Sequence, residues 1–214
     1  MRTVPTTERG RDTVERILET AACLFHEQGV RATGLDQIGD RAGAGKGQLY
    51  HFFADKADLV RDVIDHQVEQ GLGAQEPELS GMATLADLDR WLALLVAAYV
   101  RAPGPHRCPL GALLAELACQ DPAARAALAV GFARWLASIR AGLERIRDGG
   151  ELGPDCDCDA LAGGLLAAYE GGLVLVQATG SLRLLETALA TARAALPVTL
   201  PETELRDQSF AQRR

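Results

Sequence analysis

Residues 33–53 read TGLDQIGDRAGAGKGQLYHFF, and their spacing decides the fold. A helix-turn-helix needs a small residue where its second helix crosses the first, and Gly39 supplies it. Four residues on, the turn wants a residue that tolerates positive φ, and Gly43 fits. The second helix must then return an apolar pair to the first, which Leu49 and Phe52 do. Small, glycine, apolar, apolar at offsets 0, +4, +10 and +13 is the spacing of this DNA-binding motif. A generic helical hairpin matches part of that pattern, so the surroundings must discriminate.

They favour an anionic partner. The outward positions of the second helix are Lys46, Gly47, Gln48, Tyr50 and His51, which are donors, a cation and a phenol suited to phosphates and base edges. From Arg41 to Lys56 there are three basic residues against one acidic residue, Asp55, a local excess of +2. The first eleven residues carry Arg2, Arg9 and Arg11 against Glu8, again +2. Over all 214 residues the balance is the opposite: 22 Lys+Arg against 29 Asp+Glu, net −7. Bulk charge therefore cannot drive DNA binding, and any contact must come from a local basic face.

Helical spacing extends through the rest of the chain. Val14, Ile17, Leu18, Ala21 and Phe25 lie on one helical face, and Gly29 stops it. Thr33 is placed to cap the next helix, with Leu35, Ile38 and Ala42 inward. Asp55 and Asp58 open a further helix running toward Gly71. Residues 71–84 read as a linker. Beyond it come longer helices: one marked by Leu85, Leu88, Leu92, Leu95 and Tyr99, a short one over 110–118, and one capped at Asp121-Pro122 that runs through Leu128, Trp135, Ile139 and Ile146. Two more follow, about 159–180 and 181–196. The expected fold is all-α, with a helix-turn-helix domain over 9–70, a helical ligand-binding and dimerisation domain over 84–200, and a polar tail over 201–214.

The stretch beginning at Ile17, ILETAACLFHEQGVRATGLDQIGDRAGAGKGQLYHFFADKADLV, resembles the DNA-binding domain of TetR-family transcriptional regulators. The resemblance covers roughly residues 12–64. It includes Gly29 and Thr33 in GxxxT spacing, and the specific run KGQLYHFFADKADL. It implies that Thr33, Lys46, Tyr50, His51 and Lys56 touch operator DNA, chiefly phosphates, while Gln48 lies where a base-reading side chain sits. It also implies a homodimer placing two recognition helices in successive major grooves of a pseudo-palindrome. Two positions depart from the family pattern. Gly45 stands where a capping Ser or Thr is usual, which costs only a few tenths of a kcal/mol or so. Gly39 replaces the usual alanine.

CPLGALLAELA (108–118) and the helix after it resemble the effector domain of the LmrA-like branch of that family. The resemblance implies that the last two helices pair with their dimer mates as a four-helix bundle. Gly163, Gly164, Gly171 and Gly172 each cost about 1 kcal/mol inside a helix, so a compensating close approach is expected there, or else room for a ligand. Trp91, Tyr99, Trp135 and Tyr169 are core aromatics by default; family analogy makes them candidates for lining an effector cavity. The implied effector is a small, largely apolar molecule that changes the separation of the recognition helices.

Other chemistries fare worse. AGAGKGQ lacks the first glycine and the Ser/Thr of a phosphate loop, having Asp40 and Gly47 there. Cys156 and Cys158, in DCDCD, fall short of a tetrahedral zinc set, and the aspartates read as helix caps. No metal and no cofactor is expected. Five cysteines at irregular spacing do not make a secreted disulfide framework, and Cys108 is read as an ordinary buried cysteine. The N-terminus lacks the apolar core of a signal peptide. The apolar run 160–178 holds Glu170 and four glycines, so a cytoplasmic protein is expected rather than a membrane span. His26, His51, His66 and His106 pair with no recognisable nucleophile, which leaves an all-helical enzyme, or a small-molecule-binding protein without DNA binding, as the alternative.

Overall fold

The computed structural model of the chain describes residues 5–101 and 108–199. Arg2, His106, Arg107 and the expected tail over 201–214 lie outside the described residues. Among the described residues the chain forms ten helices. The first five are α1 (Glu8–Gln28), α2 (Leu35–Ala42), α3 (Lys46–Phe52), α4 (Lys56–Gly73) and α5 (Glu76–Gly81). The others are α6 (Leu85–Arg101), α7 (Pro109–Leu117), α8 (Pro122–Asp148), α9 (Cys158–Thr179) and α10 (Leu182–Ala194). One isolated antiparallel bridge joins Leu152 to Val198. The all-α expectation holds.

Two compact units interleave along the described residues: 5–74 with 108–135, and 75–101 with 136–199. In the first, α1 packs on α2, α4 and α7. Ile17, Ala21, Leu24 and Phe25 of α1 are buried with Leu59, Val63 and Ile64 of α4. Local chemistry sets the ends of these helices. Thr7 caps α1 by accepting from Gly10 N–H at 3.1 Å. Gly29, at φ +86°, ends it in a conformation that L side chains avoid. Asp55 caps α4 by accepting from Asp58 N–H at 2.7 Å, and the Asp58 carboxylate in turn accepts from Ala54 N–H, just before the cap, at 3.1 Å.

Two sequence expectations need correcting in detail. The α2 cap is Gly34 rather than Thr33, whose side chain turns inward. The stretch 71–84 is not a bare linker. It finishes α4 and then makes α5, which has proline in its first turn and acidic residues suited to a helix start.

In the second unit α10 packs against α9 and α6. Gly172 is the contact point, for a Cβ there would stand 2.7 Å from Leu185 Cδ1. The Asp89 carboxylate of α6 accepts from Arg193 of α10 at 2.6 Å. Arg145 of α8 donates from Nε to the Met82 carbonyl at 2.7 Å. Asp157 caps α9 through Ala160 N–H at 3.0 Å, as its aspartate-rich approach suggested, and Gly180 at φ +71° ends it. By length and composition alone, α8 and α9 are each long and apolar enough to cross a membrane.

Candidate nucleic-acid interface

The α2–turn–α3 segment is built as its spacing requires. Gly39 lets the chain fold back on itself. Ala44 N–H donates to the Gly39 carbonyl at 2.9 Å, and a Cβ on Gly39 would stand only 2.9 Å from the Ala44 carbonyl oxygen. Gly43 sits at φ +61° in the left-handed region and closes α2. Leu49 and Phe52 are buried, so one face of α3 is fixed inward. The α1 side chain Arg16 ties this arrangement down by donating from Nε to the last α2 carbonyl, Ala42, at 2.7 Å.

The opposite face of α3 is open. Gly45, Lys46, Gly47, Gln48, Tyr50 and His51 are all exposed, with Tyr50 at 49%. Two of these groups are engaged within the chain. Lys46 Nζ lies 3.4 Å from Asp36, both largely in solvent. Gln48 folds back so that its Oε1 accepts from Gly45 N–H at 3.1 Å. That bond is one half of a capping box and offsets the missing Ser or Thr hydroxyl at Gly45. Lys56 begins α4 and is half-buried.

Thr33 lies in the turn between α1 and α2. Only 1% exposed, it donates from Oγ1 to the Gly29 carbonyl at 2.7 Å and accepts from Gln28 Nε2 at 3.1 Å. Its hydroxyl therefore locks the turn between α1 and α2. Arg41, counted in the local basic excess, pairs with Glu27 at 3.1 Å.

Sequence spacing missed a neighbour of this face. Thr7, Arg9, Gly10 and Thr13, from the start of α1, line one cleft with Gly47, Gln48, His51 and Phe52. The exposed Arg9 thus borders the recognition helix, extending its basic surface. The N-terminal charge excess was the available signal; the adjacency was not readable.

Residues 17–63 match the profile of bacterial regulatory proteins of the tetR family, and residues 84–192 match the tetracyclin repressor-like C-terminal domain. The chain belongs to the TetR family. Over 182 residues it is 28% identical to an uncharacterized HTH-type transcriptional regulator encoded in the lacX 3′ region of Lactococcus lactis, covering 83% of this chain and 89% of that one. It is 43% identical over 74 residues to the uncharacterized HTH-type transcriptional regulator YxaF of Bacillus subtilis, covering 31% of this chain and spanning only 38% of that relative's length. In fold it is similar to the reduced form of E. coli NemR, with TM-score 0.81 and 21% identity, covering 89% of this chain and all of that one (100%).

TetR-family proteins are DNA-binding regulators, which removes the helical enzyme weighed from sequence. In this TetR-family chain the four effector-half aromatics do not behave alike. Trp91 is 1% exposed and donates from Nε1 to Gln75 Oε1 at 3.0 Å, a satisfied core position. Trp135 is also buried, whereas Tyr99 and Tyr169 are half-buried. Cys108 is buried at the start of α7, where its Sγ accepts from Gly111 N–H at 3.4 Å. No cluster of three or more His, Cys, Asp or Glu among the described residues is placed to hold a metal.

A further link went unread in the sequence. Glu116, in the last turn of α7, accepts from Val30 N–H at 2.8 Å and from Arg31 N–H at 2.7 Å, one bond to each carboxylate oxygen. Arg31 in turn donates to Gln120. A carboxylate at a helix C-terminus opposes the helix dipole, so these two charge-assisted bonds are what hold it there.

Proposed function

We propose that this chain is a ligand-responsive, operator-binding transcriptional regulator, acting as a repressor. The observation that carries the proposal is the exposed face of α3, which presents Lys46, Gln48, Tyr50 and His51 beside Arg9 on a rigid, glycine-pinned turn. Lys46, Tyr50, His51 and Lys56 would bind phosphates. Gln48 would read a base after leaving Gly45, whose own N–H at the start of α3 would then be available to a phosphate. Thr33 would act indirectly, by holding the α1–α2 turn. Repression follows the repressor-like character of the matched C-terminal domain.

The working species would be a homodimer through α9 and α10, on a pseudo-palindrome with half-sites about 34–36 Å apart. In support, α9 exposes Gly164, Gly171, Val174 and Leu175 along one stripe, and a Cβ at Gly163, Gly164 or Gly171 would meet nothing within 4 Å. Those glycines leave room for a second chain. A small effector in the C-terminal half, with Tyr99 and Tyr169 the more accessible of the candidate aromatics, would favour a dimer whose recognition helices no longer fit. A preference of about 1–3 kcal/mol for that state suffices. Such a regulator would work in the cytoplasm.

The test is a titration of DNA from the protein's own upstream region, at two salt concentrations. Tight, sequence-selective binding that weakens steeply with salt is expected. Failure to bind both this DNA and a random-site pool, after stripping any co-purified ligand, would overturn the proposal in favour of a ligand-binding protein without DNA binding.

A further inference from the structure

Two thiols meet where α9 begins. Cys156 Sγ and Cys158 Sγ lie 3.8 Å apart, and neither is in a disulfide. Cys158 is 4% exposed, whereas Cys156 is half-buried and offers a way in from solvent. Arg147, near the end of α8, brings Nη1 to 3.9 Å from Cys158 Sγ. The neighbouring carboxylates have other employment: Asp157 caps α9, Asp159 and Glu144 lie 3.5 and 3.8 Å from Arg140, and Asp148 pairs with Arg147 at 3.1 Å. The pair is therefore a two-sulfur site with a cation beside it and, among the described residues, no third ligand in place.

Geometry discriminates among the ligands such a pair can take. A disulfide needs its sulfurs at about 2.0 Å, which would pull on the cap residue between the two cysteines. Zinc needs four ligands, and among the described residues only these two sulfurs are in place. A single soft atom with bonds to sulfur of ~2.3 Å holds two sulfurs roughly 3.4–3.8 Å apart, for bond angles from about 95° to tetrahedral. That is the separation already present.

We propose that Cys156 and Cys158 form a dithiol site for a trivalent arsenical bearing one organic substituent, whose two remaining valences the two sulfurs fill. Starting from the arsenoxide R–As=O, Cys156 adds first and Cys158 closes the chelate. Two S–H bonds and the As=O bond break, two As–S bonds form, and one water leaves. Arsenic remains trivalent, so neither oxidant nor reductant is required. Arg147 stabilises the Cys158 sulfur as its proton departs. Cys158 rests as the thiol, so its closure of the chelate waits on loss of that proton beside Arg147. Burial first, and then the Cys156 sulfur, push its pKa up to about 11.

The experiment exposes the full chain to phenylarsine oxide in excess glutathione and reads the adduct by intact mass. One phenylarsine group per chain is expected, with two of the five thiols consumed and release by a small dithiol. Cys156→Ser and Cys158→Ser should each lower retention roughly a hundredfold, since each removes the chelate advantage. Cys23→Ser and Cys119→Ser should leave it unchanged. Should Cys158→Ser fail to fold, the half-buried Cys156→Ser carries the test alone. No surviving adduct on the wild-type chain, or equal retention in Cys156→Ser, overturns the proposal. Because the readout is mass rather than operator binding, either result is independent of the DNA-binding reading.

Discussion

Glu116 reaches across 86 residues of sequence to hold the backbone N–H of Val30 at 2.8 Å. With its second oxygen on Arg31 N–H, it clamps the turn from which α2 departs, and so sets where the helix-turn-helix begins. A Cβ on Gly29 would stand 3.1 Å from the same carboxylate, so the glycine that ends α1 also admits the clamp. Hydrogen bonds to a charged group contribute about 1.5–3 kcal/mol each when well buried, and this carboxylate is half-buried. Glu116→Ala should therefore lower unfolding stability by roughly 1–3 kcal/mol, and Glu116→Gln, which keeps one acceptor, by about half as much. Urea unfolding followed by circular dichroism measures both; an alanine variant as stable as wild type would show the clamp to be idle.

Gln48 has two jobs that one substitution separates. Losing the bond to Gly45 N–H should cost Gln48→Ala only a few tenths of a kcal/mol in folding. Losing a base contact should cost about 1–3 kcal/mol at one operator position and relax selectivity there. Selection from a random-site pool reads the second effect. Equal loss on every sequence would leave Gln48 as a cap and nothing more.

Lys46 should behave as a phosphate contact with a competitor beside it. Lys46→Ala is expected to weaken binding on all sequences and to reduce the log–log salt slope by about 1. Asp36, 3.4 Å from the Lys46 ammonium, should be released on binding. Asp36→Asn is then expected to strengthen binding at low salt by no more than about fivefold, because the pair is exposed. Fluorescence anisotropy over a salt series gives both slopes.

The α9 glycines should divide by neighbour. Gly172→Ala drives a methyl to within 3.0 Å of the Leu185 Cα and should cost about 1–3 kcal/mol of unfolding stability. Gly171→Ala meets nothing within its own chain, so it should favour the isolated helix by roughly 1 kcal/mol. At a dimer seam it should instead weaken self-association. Sedimentation equilibrium decides, and unchanged association would move the interface off this stripe.

Asp87 gives the second unit an acid-sensitive start to α6. Ala83 N–H donates to its carboxylate, followed in weight by the Thr84 hydroxyl and the Arg90 guanidinium, and together they hold its pKa well below the usual carboxylate range. A depressed folded pKa means the stabilisation is complete above the unfolded value, about 3.9, and is lost as pH falls through and below it. Asp87→Asn should be less stable than wild type at pH 7, with the difference narrowing on acidification below about pH 4. Paired urea titrations at the two pH values check the sign.

What could be read from the chain was local. The offsets of Gly39, Gly43, Leu49 and Phe52, the stop at Gly29, and the aspartate caps at Asp55, Asp121 and Asp157 act over one helical turn. Periodicity and capping chemistry therefore sufficed to place them. Tertiary structure decided the rest. Thr33, read as a helix cap, spends its hydroxyl on Gly29 and Gln28 because the turn buries it. Glu116 finds Val30 and Arg9 borders the recognition helix only after helices distant in sequence have packed, and Arg147 reaches Cys158 only once α8 and α9 have turned against each other. Burial and long-range hydrogen bonding depend on which faces meet. The sequence by itself determined every helix but α5 and which face of α3 is polar; packing decided which of its polar groups are spent inside the protein and which are left for a partner.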